Sequence, residues 1–170
     1  MSDSEAPARA RILAAAAAVF AEQGYAKAGV KEICARAQVT TGALYHHFGG
    51  KPALYHEVLA VSGSRLRAVM AEAADRATPG ARAVRAALLA AWDLVQADRS
   101  ARLFLVQPAQ AGDTATVDFL RGLWPWAPSA VAPVLLAAWC GALQAAMTDP
   151  EGDARLVLDG MLRGLAGDIA

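Results

Sequence analysis

The stretch VTTGALYHHF, residues Val39 to Phe48, predicts a short helix with two different faces. Leu44 and Phe48 are four residues apart, so both lie on one side of such a helix, with Val39 beneath them. The opposite side carries small and polar residues, namely Thr41, Gly42, Tyr45 and His46. One face is suited to anchor the helix on a core, and the other is suited to face outward.

The outward face has the chemistry of a nucleic-acid contact. Its hydroxyls, phenol and imidazole offer hydrogen bonds to phosphates and base edges, and Gly42 lets the backbone approach a phosphate closely. Thr40 is well placed to cap the start of the helix. We therefore predict that this helix fits the major groove of DNA.

The residues before this stretch complete a helix-turn-helix. Val30 to Ala37 has apolar or small residues at every third or fourth position, which indicates a two-turn helix, and residues 38–40 form a three-residue turn. A longer helix with an apolar stripe from Ile12 to Phe20 ends at Gly24. Residues 8–48 are thus predicted to form a three-helix DNA-binding unit.

Fourteen residues between positions 20 and 54 follow a known family pattern, in order and at fixed spacing. The pattern consists of Phe20, Gly24, Tyr25, Ile33, Ala37, Val39, Thr40, Gly42, Leu44, Tyr45, His47, Phe48, Lys51 and Leu54. The chain therefore resembles the TetR/AcrR family of bacterial transcriptional regulators. The resemblance implies an all-helical homodimer whose paired recognition helices read a palindromic double-stranded DNA operator. It also implies a C-terminal domain that binds a small-molecule effector and then releases DNA.

The fold class expected from the pattern and the resemblance is all-α. Residues 1–7 are expected to form a flexible N-terminus and residues 8–51 a TetR-type helix-turn-helix DNA-binding domain, with its motif at about 30–48. Residues 52–170 are expected to form a helical ligand-binding and dimerisation domain.

Seven residues are predicted to contact DNA. Phosphates would be held mainly by Thr40, Thr41, Tyr45 and Lys51, while Gly42 permits close approach and Ala43 and His46 touch bases.

This chain departs from the family pattern at three places. Ala28 and Gly29 stand where threonine or serine usually precedes the second helix, so a capping hydroxyl is missing, although glycine also caps. Gln38 replaces the usual turn glycine and must tolerate the backbone angles of the turn. Gly49 and Gly50 replace more polar residues, which predicts a looser joint. None of these removes the motif, but each can lower the affinity for DNA.

Charge is distributed unevenly along the chain. The formal net charge is zero, yet residues 7–51 hold six basic and two acidic residues, whereas residues 52–170 hold ten and twelve. This asymmetry places positive charge where DNA would lie. The asymmetry is modest, so the prediction of DNA binding depends on the spacing of the motif rather than on charge.

The 56% share of hydrophobic residues is high, which suggests a subunit interface.

The remaining residues predict a series of further helices. A long linking helix runs from Lys51 to about Asp75 and a second from about Ala81 to Ala97, followed by a shorter one at 103–106 and a loop at 108–113. An apolar ligand pocket is expected from aromatic residues, each of which would serve equally well as core. They are Trp92, Phe104, Phe119, Trp124 and Trp126.

The segment from Gly122 to Thr148 has no charged residue and is long enough to span a bilayer of ~30 Å. Three prolines crowd its first half, which favours a buried helix at a dimer interface over a membrane span.

A capping box at 148–151 starts the last helix, at about 150–168. Two such helices form a four-helix bundle when doubled. The predicted dimer contacts are Leu135, Trp139, Leu143, Leu158, Met161, Leu162 and Leu165.

Other chemistries have little support in the sequence. The histidines lack the spacing of metal ligands, and the serines lack the elbow and oxyanion loop of a hydrolase, so we predict no metal, no cofactor, no catalytic residue and no enzyme. Cys34 and Cys140 are interpreted as buried structural thiols. Residues 1–7 are polar and acidic, which predicts a cytoplasmic protein without a signal peptide.

The predicted function is a sequence-specific transcriptional regulator, a repressor that a small apolar ligand releases from its operator. The alternative is a helical homodimeric small-molecule-binding protein with little or no specific DNA affinity, which the departures at 28, 29, 49 and 50 would allow. A steep salt dependence of binding to one duplex distinguishes the two. A membrane-associated helical protein is a third hypothesis.

Overall fold

The computed structural model describes residues 5–106, 114–148 and 153–166, and within these ranges the chain forms helices and no strand. The all-α prediction is confirmed. The helices are α1 (Glu5–Lys27), α2 (Val30–Ala37), α3 (Thr41–Phe48), α4 (Lys51–Asp75), α5 (Ala81–Ala97), a 3-10 helix (Arg99–Val106), α6 (Thr114–Leu123), α7 (Val131–Thr148) and α8 (Ala154–Ala166).

The chain divides into two compact units. The first contains Met1–Ser64 and Asp98–Val106, and the second contains Arg65–Ala97 and Gln107–Ala170. The division falls inside α4, so this helix belongs to both units. The domain boundary predicted from the sequence lies at the start of the same helix.

The first unit is built around one apolar cluster. Ile12, Val19 and Phe20 of α1 are at most 1% exposed and pack in this cluster with Ile33 of α2. Gly24 interrupts α1 because its backbone adopts φ 74° and ψ 165°, a conformation that glycine tolerates. The predicted stripe and its end at Gly24 are confirmed.

The long linking helix α4 begins and ends where the sequence predicts. Pro52 lies in its first turn, where its missing N–H is not needed. Leu54 and Val58 then join the apolar cluster of the first unit. After α4, the buried Gly80 has φ 102°, and its N–H donates to the carbonyl of Leu123 at 2.9 Å. This bond ties the turn between α4 and α5 to the end of α6.

In the second unit, α5 packs against α6 and α8, and α7 packs against the same two helices. Trp139 of α7 is 1% exposed, and its indole N–H donates to the carbonyl of Leu88 at 2.8 Å. Because the one polar group of the indole has a partner, this large side chain is buried without leaving a donor unsatisfied.

A buried carboxylate links α8 to α5. Asp159 accepts hydrogen bonds from Arg85 Nε at 2.8 Å and from Arg163 Nε at 2.9 Å. Burial alone would raise the pKa of Asp159, but the hydrogen bonds from Arg85 and Arg163 outweigh it and hold the pKa below its ordinary value. The ionised form of Asp159 therefore stabilises the fold of this unit.

Some elements differ from the sequence predictions. α6 lies where no helix is predicted from the sequence, and the short helix expected at 103–106 is the end of a 3-10 helix. The last helix begins at Ala154, later than predicted. The capping box at 148–151 falls partly, and the loop at 108–113 almost wholly, outside the described residues.

Asp159→Asn should lower the free energy of unfolding by about 1–3 kcal/mol at pH 7, because two guanidinium groups lose a shared buried acceptor charge. The native pKa is depressed, so the stabilisation is present above the unfolded-state pKa of about 4 and is lost as pH falls through the native pKa. Urea unfolding at neutral and acidic pH measures both effects.

The matched control is Glu72→Gln, which removes the exposed ion pair between Glu72 of α4 and Arg76. Its expected cost is below about 0.5 kcal/mol. Equal losses for the two variants would contradict a special role for Asp159.

Candidate DNA-binding site

α3 has the two faces that the sequence predicts. Leu44 is 0% exposed and Phe48 is 7% exposed, and both belong to the apolar cluster of the first unit. Ala43 and His47 are half-buried. The exposed face consists of Thr41, Gly42, Tyr45 and His46. A helix of two turns is thus anchored along one side and offers polar groups on the other.

Thr40 caps α3, as predicted. Its Oγ1 accepts a hydrogen bond from the Ala43 N–H at 3.2 Å, while its backbone is extended at φ −80° and ψ 156°. A Cβ at Gly42 would lie 3.8 Å from this oxygen, which is an ordinary contact. The fold itself therefore does not require glycine at 42.

Gly49 and Gly50 form a defined junction between α3 and α4. Gly49 ends α3 at φ 71°, and its N–H donates to the carbonyl of Tyr45 at 2.8 Å. Gly50 has φ 151°, and a Cβ there would lie 3.6 Å from Cε1 of Tyr45. Both φ angles are unfavourable for residues other than glycine, so the backbone conformation explains why glycine stands at both positions. The sequence alone did not predict this.

Lys51 is positioned by the end of α1. Its Nζ donates to the carbonyl of Ala26 at 3.4 Å and lies 4.5 Å from the centre of the Tyr25 ring. The ring face attracts the ammonium group, so the cation is held in one region at the start of α4.

Several basic side chains of this unit hold its helices together. Arg36 forms ion pairs with Glu22 at 2.6 Å and Glu32 at 3.1 Å. The hydrogen bond from Arg36 lowers the pKa of Glu22, and the same bond raises the pKa of Arg36. Arg9 pairs with Glu57, and its guanidinium carbon lies 5.1 Å from the centre of the Phe48 ring.

Arg11 also has a partner within the unit, because its Nε donates to the carbonyl of Ala37 at 3.1 Å. Lys27 and Lys31 are exposed, and Lys51 is half-buried. A count of charges in the sequence therefore overstates the number of cations that face a ligand.

The start of α2 shows the effect of the departures at 28 and 29. Gly29 is the N-cap with extended backbone at φ −94°, and no side-chain hydrogen bond caps this helix. Ala28 is 3% exposed and packs in the apolar cluster.

Gln38 ends α2 in the left-handed conformation, at φ 55° and ψ 48°. Its N–H donates to the carbonyl of Ala35 at 3.2 Å, and the Val39 N–H donates to the carbonyl of Cys34 at 3.0 Å. The turn therefore holds a residue with a side chain in a conformation that glycine adopts more easily.

Comparison with known proteins agrees with this arrangement. A model of bacterial regulatory proteins of the tetR family matches residues 12–58. UidR, an HTH-type transcriptional regulator of Escherichia coli K12, is 41% identical over 59 residues, which are 35% of this chain and 30% of UidR. FasR, an HTH-type transcriptional activator of Mycolicibacterium smegmatis, is 37% identical over 90 residues, which are 53% of this chain and 41% of FasR. The chain thus spans less than half the length of these two relatives.

One solved structure is similar along nearly the whole chain. TylP, a tetR regulator from Streptomyces fradiae, is 30% identical, and the match covers 97% of this chain and 87% of TylP with a TM-score of 0.66. This chain belongs to the TetR family. The TetR-family model covers the three helices of the candidate site and the first residues of α4.

Outside that TetR-family region, the predicted ligand residues occupy different environments. Trp92 is 4% exposed and part of the core, Phe119 and Trp124 are half-buried, and Trp126 is 69% exposed. The Phe104 side chain lies outside the part of the chain that the structure describes. Trp124 lines a pocket of about 160 Å³ in the second unit, whereas Trp92, Phe119 and Trp126 are not among its lining residues.

The predicted dimer contacts divide into two groups. Met161 is 58% exposed and Leu165 is 48% exposed. Five others are at most 8% exposed within the single chain, so they form its core: Leu135, Trp139, Leu143, Leu158 and Leu162. These five side chains are therefore occupied within the single chain, and the stripe pattern did not distinguish them from exposed positions.

α7 is long and apolar enough to cross a membrane, with a mean hydropathy of 1.5 over 18 residues. A core helix of a soluble protein passes the same test, so this is weak evidence for a span. One face of α7 is buried against α6 and α8. That packing is consistent with a helix inside the second unit of a TetR-family chain.

Both cysteines of this TetR-family chain are buried. Burial raises the pKa of Cys140 to about 11, so its thiol is protonated at neutral pH. Across the described ranges, no group of three His, Cys, Asp or Glu side chains is arranged to hold a metal ion.

Gln38→Gly should raise the free energy of unfolding by up to about 1 kcal/mol, because glycine adopts this left-handed conformation without a Cβ penalty. The greater freedom of glycine in the unfolded chain offsets part of the gain. Gln38→Ala is the control and should give no gain, since it keeps the Cβ. Urea unfolding checks both, and a less stable glycine variant would contradict the interpretation.

Proposed function

We propose that this chain is a sequence-specific DNA-binding transcriptional regulator that reads a palindromic operator as a homodimer. The observation that carries this proposal is the exposed face of α3, whose opposite side is anchored by Leu44 and Phe48. Thr41, Tyr45 and His46 project from that face around Gly42, as a helix in the major groove requires. The similarity to UidR, a transcriptional regulator, and to FasR, a transcriptional activator, supports the same class of activity.

The capping geometry supports a phosphate role for Thr40. A hydroxyl has one donor and two acceptor positions, and one acceptor position is used by the Ala43 N–H. The O–H of Thr40 can then donate to a phosphate without loss of the cap. Lys51 has three N–H donors, and one points to the Ala26 carbonyl, so its ammonium group can also bind a phosphate.

Base contacts are assigned to Ala43 and His46, with Thr41 and Tyr45 on the flanking phosphates. Tyr45 is 51% exposed and is the largest side chain of the outward face. Few cations contribute, so specificity rests on a small number of hydrogen bonds and on close approach at Gly42.

We infer that the dimer forms through the outer faces of α7 and α8. On α7 the exposed positions Val134, Gly141 and Ala145 lie on one face, opposite the buried Trp139. On α8, Val157, Gly160, Met161 and Gly164 lie on one face, opposite the buried Leu158 and Leu162. Among the described residues of α7 and α8, neither of these faces carries a charge, and small residues permit close helix packing, as in a four-helix bundle formed by two subunits.

A small apolar effector is proposed to release the operator, so that the protein acts as a repressor in the cytoplasm. The support is the pocket beside Trp124 and the bond from Gly80 to Leu123, which connects the residue before Trp124 to the turn after α4. α4 starts next to the recognition helix α3 in the chain. A tilt of α4 would therefore change the orientation of α3 relative to DNA. A coupling of ~1–3 kcal/mol between effector and operator is sufficient.

Tyr45→Ala should weaken binding to the selected operator by about tenfold or more, because each subunit loses a phosphate contact. Duplexes are first selected from a random library by the full-length protein, and affinity is then measured by fluorescence anisotropy at two salt concentrations. Tyr45→Phe retains the ring and isolates the contribution of the hydroxyl.

Val61→Ala serves as the matched control, since Val61 is 52% exposed on α4 and has no assigned contact to DNA. Its affinity should equal that of the unaltered protein. If no palindromic sequence is enriched, or if the two alanine variants bind equally, operator reading by α3 is refuted.

Gly164→Glu combined with Val134→Glu should convert the protein to monomers at micromolar concentration, because charge would be buried between the outer faces of α7 and α8. Sedimentation velocity measures the change. Val61→Glu introduces the same charge on α4 and should remain dimeric. A dimer that survives the double substitution would place the interface elsewhere.

A further inference from the structure

The pocket of the second unit is formed by α5, α6, α7 and the connection between α6 and α7. Its lining includes the buried side chains of Val84, Leu120, Ala132 and Leu135, together with the half-buried Trp124. Because these residues come from three packed helices, the apolar wall is part of the folded core and is present before any ligand binds.

The volume of the pocket limits the size of a ligand. At about 160 Å³ it is smaller than the roughly 300–1,000 Å³ of pockets that hold drug-sized molecules. In another protein, an apolar cavity of about 150 Å³ binds benzene. One six-membered ring, or a branched chain of equal volume, is therefore the apolar group that fits.

The polar groups of the pocket are positively charged or neutral. Among the described residues that line it, Arg121 of α6 and Ser129 of the following connection carry polar side chains, and the others are apolar. Arg121 Nη1 donates to Asp118 Oδ1 at 3.0 Å in an exposed pair. A guanidinium has five N–H donors, so this pair leaves donors for a second carboxylate.

We propose that this pocket is the effector site and that it takes a compact apolar carboxylate, with the ring or branched chain against Trp124 and Leu120 and the carboxylate at Arg121. The assignment as effector site rests on the proposed function, whereas the ligand class rests on volume and charge. A planar guanidinium matches a carboxylate in geometry as well as in charge, which an alcohol or an amide does not.

Isothermal titration calorimetry of the full-length protein with benzoate tests the ligand class directly. Benzyl alcohol has the same ring without the charge, and 1-naphthoate has the charge with a second ring. We expect benzoate to bind at least about tenfold more tightly than either compound, because one lacks the pairing with Arg121 and the other exceeds the pocket volume.

Arg121→Gln should weaken benzoate binding roughly tenfold and leave benzyl alcohol unaffected. Arg76→Gln is the matched control, because Arg76 also forms an exposed pair with a neighbouring carboxylate, Glu72, but does not line the pocket. Ala127→Phe, at a half-buried lining position, should abolish binding by filling the space. Thermal unfolding verifies that each variant is folded.

Equal affinity for benzoate and benzyl alcohol, equal losses in the two arginine variants, or unimpaired binding by folded Ala127→Phe would overturn the proposal. Addition of benzoate to the operator complex forms a separate test. If benzoate binds with the expected selectivity but the complex persists, the ligand class stands and the role as effector site is overturned. If the protein binds no operator, the proposed function fails while calorimetry still decides the ligand class.

Discussion

Leu44 and Phe48 are the two buried side chains by which α3 is held, and they lie one helical turn apart. An isolated helix of two turns is unstable in water, so the orientation of α3 depends on this burial and on its end caps. Thr40 at one end and Gly49 at the other satisfy backbone groups that the short helix leaves open. The outward direction of the polar side chains follows from these four residues, and the DNA-binding proposal depends on that direction.

Several charged side chains of the first unit form ion pairs that hold its helices together. Arg36 joins α2 to α1 through Glu22, and Arg9 joins α1 to α4 through Glu57 while it contacts the ring of Phe48. These exposed pairs contribute little stability individually, but they give both guanidinium groups partners within the unit. Net charge in a sequence is therefore a poor guide to the number of phosphate contacts, and the position of each cation decides its use.

The helices α1, α2 and α3 are predicted well from the sequence because their signals are local. Glycine at a positive φ, threonine at a helix start and apolar residues at helical spacing determine α1, α2 and α3 without distant contacts. α7 is the opposite case, since it has no charged residue and both of its faces are apolar or small. Periodicity then cannot show which face is buried, and the side chains with the largest volume, such as Trp139 and Leu143, are in the core of one chain.

The pocket was equally hard to predict. Aromatic residues are the sequence-based prediction for the lining because they are large and apolar. The lining consists instead mainly of small aliphatic and proline side chains around Trp124. Residues as distant in sequence as Val84 and Leu135 meet there only because α5, α6 and α7 pack together. A contact between residues so far apart in the chain leaves no local sequence pattern. The capping and turn residues of α3, in contrast, are adjacent in the chain and can be predicted from it.

The state of the two thiols has a practical consequence for labelling. Cys34 is 4% exposed and Cys140 is 7% exposed, and the pKa of Cys140 is about 11. Maleimide reagents attack thiolates that they can reach, so both native cysteines are protected at neutral pH while the protein is folded. A cysteine introduced at an exposed position would therefore accept a fluorophore selectively, without removal of the native thiols.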